Sequence, residues 1–121
     1  RLLFDREASE RGIQNYVSAA EIGDMLERMY RGNLIDVESS GDMLDILKEQ
    51  RLNGKFPFRF RGRIPIAHKT GEDDGITHDV GIFYAEEPFV LCCLGNETDC
   101  LAFDRFMQDL AWRFYEERTK Q

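Results

Sequence analysis

No apolar run in this chain approaches the roughly 20 residues that a helix needs to cross a bilayer, so no membrane span is expected. Cysteine is scarce. Of the three, Cys92 and Cys93 are adjacent within "PFVLCCLG", where a strand would turn them to opposite faces, and an odd count leaves at least one thiol free. No C-x-x-C or Cys/His spacing suggests zinc, and no cofactor is expected. An excess of basic residues is also lacking. Asp and Glu number 23 against 16 Lys and Arg, a net charge of −7, which disfavours nucleic acid and anionic membranes as partners. Proline occurs three times, and there is no repeat, low-complexity tract or Pro/Ser-rich linker, so residues 1–121 read as a single unit. The opening "RLLFDREASE" has no initiator Met, no long apolar core and no small-residue cleavage site; it reads as the start of a mature or excised chain rather than a signal peptide.

What is present is an ordinary globular composition, 42% apolar and 32% charged. Residues 1–17 mix charges with Leu2, Leu3 and Phe4; a helical turn there would be broken by Gly12 and Asn15. In "SAAEIGDMLERMYRG", Ser18 and Glu21 form a capping box, and Ile22, Met25, Leu26, Met29 and Tyr30 recur at helical spacing up to Gly32. A helix is predicted over 18–31. A second follows in "SSGDMLDILKEQRL", capped by Ser39 or Ser40, with Met43, Leu44, Leu47 and Leu52 as its apolar stripe and Asn53-Gly54 as its stop.

The pattern then changes to strands. "GRIPIAHKTG" places Ile64, Ile66 and His68 on one face and Pro65, Ala67 and Lys69 on the other, and Pro65 makes this an edge strand or marks its start. "EDDG" is a turn by composition. "ITHDVGIFYA" and "PFVLCCLG" are two further strands, the last apolar on both faces as for a strand covered on both sides. "DCLAFDRFMQDLAWRFYEER" closes the chain as an amphipathic helix over 98–118. Its apolar residues are expected to cover one sheet face, nothing else in the chain being apolar enough. The expected fold is α+β: two helices, a three-stranded antiparallel meander joined by short turns, and a long C-terminal helix packed on the sheet. Lys55 and "RFRGR" read first as solvated edge guards, with contact to an anion as the other reading. His68 and His78 can sit across from one another on neighbouring strands, as structural residues first and as a catalytic pair second, and Asp79 can pair with Lys69 or with a basic side chain.

The order and spacing of "RIPIAHKTG...HDVGIFY...PFVLCCL", followed by a long amphipathic helix, resemble the C-terminal part of the serine β-lactamase and penicillin-binding-protein superfamily, closest to its class A branch. K-T-G is among that group's signatures. Upstream, "FDREASERGIQNYVSAAEIGDMLERMYRG" resembles the segment that leaves the omega loop and enters the helical domain, and "MLDILKEQ" resembles the next helix. The resemblance divides the chain into an omega-loop-like part (1–17), a helical part (18–54) and the sheet with its final helix (62–121), half of the β-lactamase/transpeptidase-like fold. It implies that Lys69 attracts a substrate carboxylate, that Thr70 hydrogen-bonds the same carboxylate, that Gly71 leaves room for a substrate along the strand, and that the Glu72 backbone N–H supplies one oxyanion donor. The implied ligand is a β-lactam or a peptide like that of peptidoglycan, and the implied location is extracytoplasmic.

The family's nucleophile lies in S-x-x-K, and none of Ser9, Ser18, Ser39 or Ser40 has Lys three residues on. S-D-N, Y-x-N and the E-x-x-L-N of the omega loop are also absent, so no catalytic residue is carried over. The expected activity is therefore that of a fragment: a substrate-binding strand for acyl transfer, inactive alone. Its expected partner is the missing N-terminal half or a second copy of the chain, because the half-fold would leave apolar helix surface and a sheet edge uncovered. A second reading is a non-enzymatic, self-associating or partner-binding module derived from that fold, and a third is a stand-alone α+β domain in which K-T-G is a coincidence.

Overall fold

The structure is a computed structural model and describes residues 6–12 and 16–119. A short helix α1 (Arg6–Glu10) is followed by a turn in which Gly12 adopts a φ of 76°; Asn15 lies outside the described residues. Helix α2 (Ala19–Tyr30) begins at Ser18, whose hydroxyl accepts from the Glu21 N–H at 3.1 Å while the Glu21 carboxylate accepts from the Ser18 N–H at 2.9 Å. The expected capping box is thus closed in both directions.

Helix α3 (Val37–Lys48) starts earlier than its serines suggest. Its N-cap is Asp36, whose carboxylate accepts the Ser39 N–H at 2.6 Å, and Ser40 is instead buried with its hydroxyl donating to the Leu34 carbonyl at 2.8 Å. The helix also stops at Lys48, so Leu52 is exposed and outside it, and Asn53-Gly54 does not form its end.

Three strands follow: β1 (Ile66–Asp73), β2 (Ile76–Phe83) and β3 (Phe89–Gly95), antiparallel and in the order β1-β2-β3. The first hairpin turns at Asp74-Gly75, a two-residue loop with Gly75 at φ 66°, so Glu72 and Asp73 belong to the strand rather than to the turn. Strand β1 begins after Pro65 and forms an edge of the sheet, as the missing proline N–H requires.

Helix α4 (Cys100–Thr119) lies on one face, with Met107 and Ala111 fully buried among Phe56, Phe60, Ile66, Phe83, Phe89 and Cys93. The opposite face is not bare: α3 lies over β1 and α2 over β3 and β2, packing Leu26, Ile22, Leu44 and Leu47 against Ala67, Val80 and Ile82. The two amphipathic helices, apolar enough after all, close a second layer, and each large apolar side chain fully withdrawn from water contributes about 1.5–3 kcal/mol. Cys92 and Cys93 face the two opposite layers as their adjacency predicts, and burial pushes both thiols up to about 11. No helix among the described residues is long and apolar enough to cross a membrane.

Candidate substrate-binding edge

Alternation along β1 sorts its residues onto two faces. Ile66, His68, Thr70 and Glu72 share the α4 side; Ala67, Lys69 and Gly71 share the side of α2 and α3. The sequence-predicted quartet Lys69, Thr70, Gly71 and Glu72 is therefore contiguous along one edge strand but divided between faces. Lys69 is exposed, and its ammonium donates to the Thr70 carbonyl. Thr70 is only 5% exposed. Gly71 pairs with His78 across the ladder, and the imidazole comes to 3.1 Å from where a Cβ at 71 would lie. The Glu72 carboxylate is exposed.

The two histidines do not meet. His68 pairs with Gly81, and its ring points to the α4 side, while His78 lies on the other face beside Gly71. The His78 Nδ1 accepts the Gly95 N–H at 3.1 Å, which ties β2 to β3. Burial holds the His78 imidazole below its ordinary value; the nearby Lys55 charge acts in the same direction, against a backbone hydrogen bond within Thr77-His78 that raises it.

Asp79 does not pair with Lys69; of the two expected partners it takes the other, a basic side chain, which is His68. Asp79 is fully buried, accepts from His68 Nδ1 at 3.0 Å and from the Phe56 N–H at 3.0 Å. Burial pushes its carboxyl up, opposed by the hydrogen bonds from His68 and Phe56.

Lys55 is the residue that sequence reasoning missed. It is no solvated guard: it is 5% exposed, and its ammonium donates to the Gly71 carbonyl at 3.2 Å, to the His78 carbonyl at 3.1 Å and to the Glu72 carboxylate at 3.2 Å. An ammonium has three donors, and all three are used. Arg59 and Arg63 are exposed but lie over the Trp112 ring, and Arg59 pairs with Asp109 at 3.1 Å, so these charges fasten the loop to α4 rather than guard an edge. Lys55, Thr70 and Glu72 line a cavity of about 290 Å³ together with Arg51, Asn53 and Asp104. The described residues contain no cluster of three or more His, Cys, Asp or Glu able to hold a metal.

Residues 1–116 match the sequence profile described as the Beta-lactamase enzyme family. The chain belongs to that family. No curated protein matches it. Among solved structures, a β-lactamase from Sphaerobacter thermophilus DSM 20745 is similar at a TM-score of 0.62 and 22% identity, covering 71% of this chain and 34% of that one. The structure of PBP-A is similar at a TM-score of 0.75 and 16% identity, covering 96% of this chain and 50% of that one. At such identities the likeness shows the fold alone: this β-lactamase-family chain has a partial β-lactamase fold, and it spans about a third and a half of the two structures it matches.

Proposed function

We propose that this chain is the substrate-binding part of a β-lactamase-like serine hydrolase, one that transfers an acyl group from a β-lactam or a D-Ala-D-Ala-type peptide to a serine outside residues 1–121. The observation that carries the reading is the position of the K-T-G sequence on the open edge strand of the sheet, at Lys69, Thr70 and Gly71. An edge strand of an antiparallel ladder turns the N–H and C=O groups of alternate residues outward, where an extended substrate can add as a further strand. Lys69 and Thr70 then supply charge and hydroxyl to a ligand carboxylate, Gly71 supplies clearance, and the rigid Glu72 N–H supplies an oxyanion donor that need not reorganise as charge develops.

Lys55 adds a second cation on the Thr70 side. Its least buried partner is the Glu72 carboxylate, 61% exposed, which is the group a ligand carboxylate would replace. The absence of S-x-x-K and S-D-N from the sequence makes the chain inactive alone in this reading.

The test is nitrocefin hydrolysis. The purified chain is expected to be inert, and the chain extended upstream through an S-x-x-K helix is expected to be active. In the extended protein Lys69→Ala should lower kcat/KM about 10- to 100-fold, the worth of one charged hydrogen bond. Hydrolysis by residues 1–121 alone, or an extended enzyme indifferent to Lys69→Ala, overturns the reading.

A further inference from the structure

Behind β1 lies a polar cluster that the proposed chemistry does not use. His68 is 1% exposed and Asp79 0%, so neither can touch a ligand. Their partners show what they hold. Asp79 accepts from His68 Nδ1 through one oxygen and from the Phe56 N–H through the other, both at 3.0 Å. His68 Nε2 lies 3.1 Å from Asn53 Oδ1. The pair thus grips residue 53 at one end and residue 56 at the other. Between them, the Gly54 carbonyl accepts from Gln108 of α4 at 2.8 Å. The remaining residue of this short segment is Lys55.

The segment needs such a grip. Residues 54–63 form turns and bends rather than a helix or strand: the Phe58 N–H donates to the Lys55 carbonyl at 3.1 Å, and two further turn bonds follow at Phe60 and Arg63, but these lie on the C-terminal side of Lys55 and leave its N-terminal side to other contacts. Phe56 packs into the core beside Phe83, with ring centroids 5.4 Å apart, but a ring contact does not set the rotation of the neighbouring residue. Two hydrogen bonds to backbone and side chain on either side of Lys55 do.

We propose that His68 and Asp79 form a buried positioning pair that clamps residues 53–56 behind β1 and so sets the Lys55 ammonium on the Gly71 and His78 carbonyls and the Glu72 carboxylate. The pair spans β1 and β2, so it also couples the segment to the strand that carries Lys69 and Thr70. His68 immediately precedes Lys69, and Asp79 pairs with Thr70 in the ladder. The consequence for ligand binding rests on the carboxylate-binding reading above; the clamp itself does not.

Side-chain nitrogen NMR of the 121-residue chain tests it. A desolvated ammonium with three acceptors should give a protected, shifted Lys55 signal, assigned by its loss in Lys55→Arg. His68→Gln and Asp79→Asn should move or abolish that signal while the methyl resonance of buried Met107 is retained. Should either variant fail to fold, Asn53→Ala is the decisive one, because Asn53 is exposed and its side-chain oxygen meets the clamp at His68 Nε2 without entering the core; it should shift the Lys55 signal toward that of a solvated lysine. An unchanged Lys55 signal in Asn53→Ala, or in a folded His68→Gln, overturns the proposal. Titration with N-acetyl-D-Ala-D-Ala separates the two readings. Shifts at the Thr70 amide whose midpoint weakens about tenfold in Asn53→Ala fit both, a loss of one charged contact being of that size. No shift in the unsubstituted chain sinks the carboxylate reading and leaves the Lys55 signal to decide the clamp.

Discussion

A Cβ added at Gly71 would lie 3.1 Å from His78 Cδ2, tighter than side chains normally pack, and its φ is not in the left-handed region. The backbone would accept alanine there; the imidazole is what crowds it and would have to give by a few tenths of an ångström. The glycine of K-T-G thus has a reason inside the protein, apart from any clearance it gives a ligand. Gly71→Ala is expected to cost about 1–3 kcal/mol through overpacking. In a His78→Ala background the same change should turn neutral or slightly stabilising, since alanine restricts the unfolded chain more than glycine does. A double-mutant cycle by chemical denaturation reads the difference. A cost that persists without the imidazole would show that His78 is not the cause. Lys55 teaches the complementary lesson. Lysine is almost never fully buried unless paired, and its partners here are two backbone carbonyls and a carboxylate from β1 and β2, so its own sequence neighbourhood gives no hint of its place.

The elements with local signals were legible. The capping box and apolar spacing marked α2, the composition of "EDDG" marked the first hairpin though its turn is only the last two of those residues, and the two-sided apolar run marked β3 as covered on both faces. The start of α3 was misplaced because Asp36 outcompetes the serines as cap: its carboxylate reaches the Ser39 N–H, and Ser40 is drawn inward to Leu34. Residues 54–63 have neither period, so the burial of Phe56 and Phe60 could not be read; it depends on an aromatic cluster with Phe83, Trp112 and Tyr115 that forms only when α4 docks. K-T-G was legible as a motif, but the division of Lys69 and Thr70 between faces and the network behind them depend on strand register. The join between β2 and β3 carries a pH dependence of its own. His78 Nδ1 can accept the Gly95 N–H only while it is unprotonated. With its folded pKa held below the ordinary 6.5, the group favours folding above that value and opposes it progressively as the pH falls toward the folded pKa. Denaturation midpoints should therefore decline from pH 7 to pH 5, and His78→Gln should flatten that part of the curve. An identical decline in the variant would assign the effect to other groups.

At the scale of the whole molecule, the two layers around the sheet leave apolar surface over. Helix α4 presents more than its sheet face uses: Met107 and Ala111 are buried, yet Leu101, Phe106 and Phe114 remain exposed. On the other side Tyr16, Val17, Met25, Ile35 and Val37 are exposed around α2 and its loop, and the outer edges of β1 and β3 have no strand partner among the described residues. Open edges and apolar patches of this kind invite pairing. A chain spanning a third to a half of the structures it resembles has two ways to cover them: the rest of a longer protein, or another copy of itself. These predict opposite behaviour in the centrifuge. The 121-residue chain at micromolar concentration should sediment as a dimer or larger species, burying at least about 1,000 Å² in a stable contact. Replacing Leu101 and Phe106 together by Glu should shift it toward monomer without lowering its denaturation midpoint, because neither side chain belongs to the buried core. The chain extended upstream should sediment as a monomer, its added part covering the same surface. An ideal monomer of residues 1–121 across that concentration range would show that the exposed face of α4 and the sheet edges are stable in water as they stand.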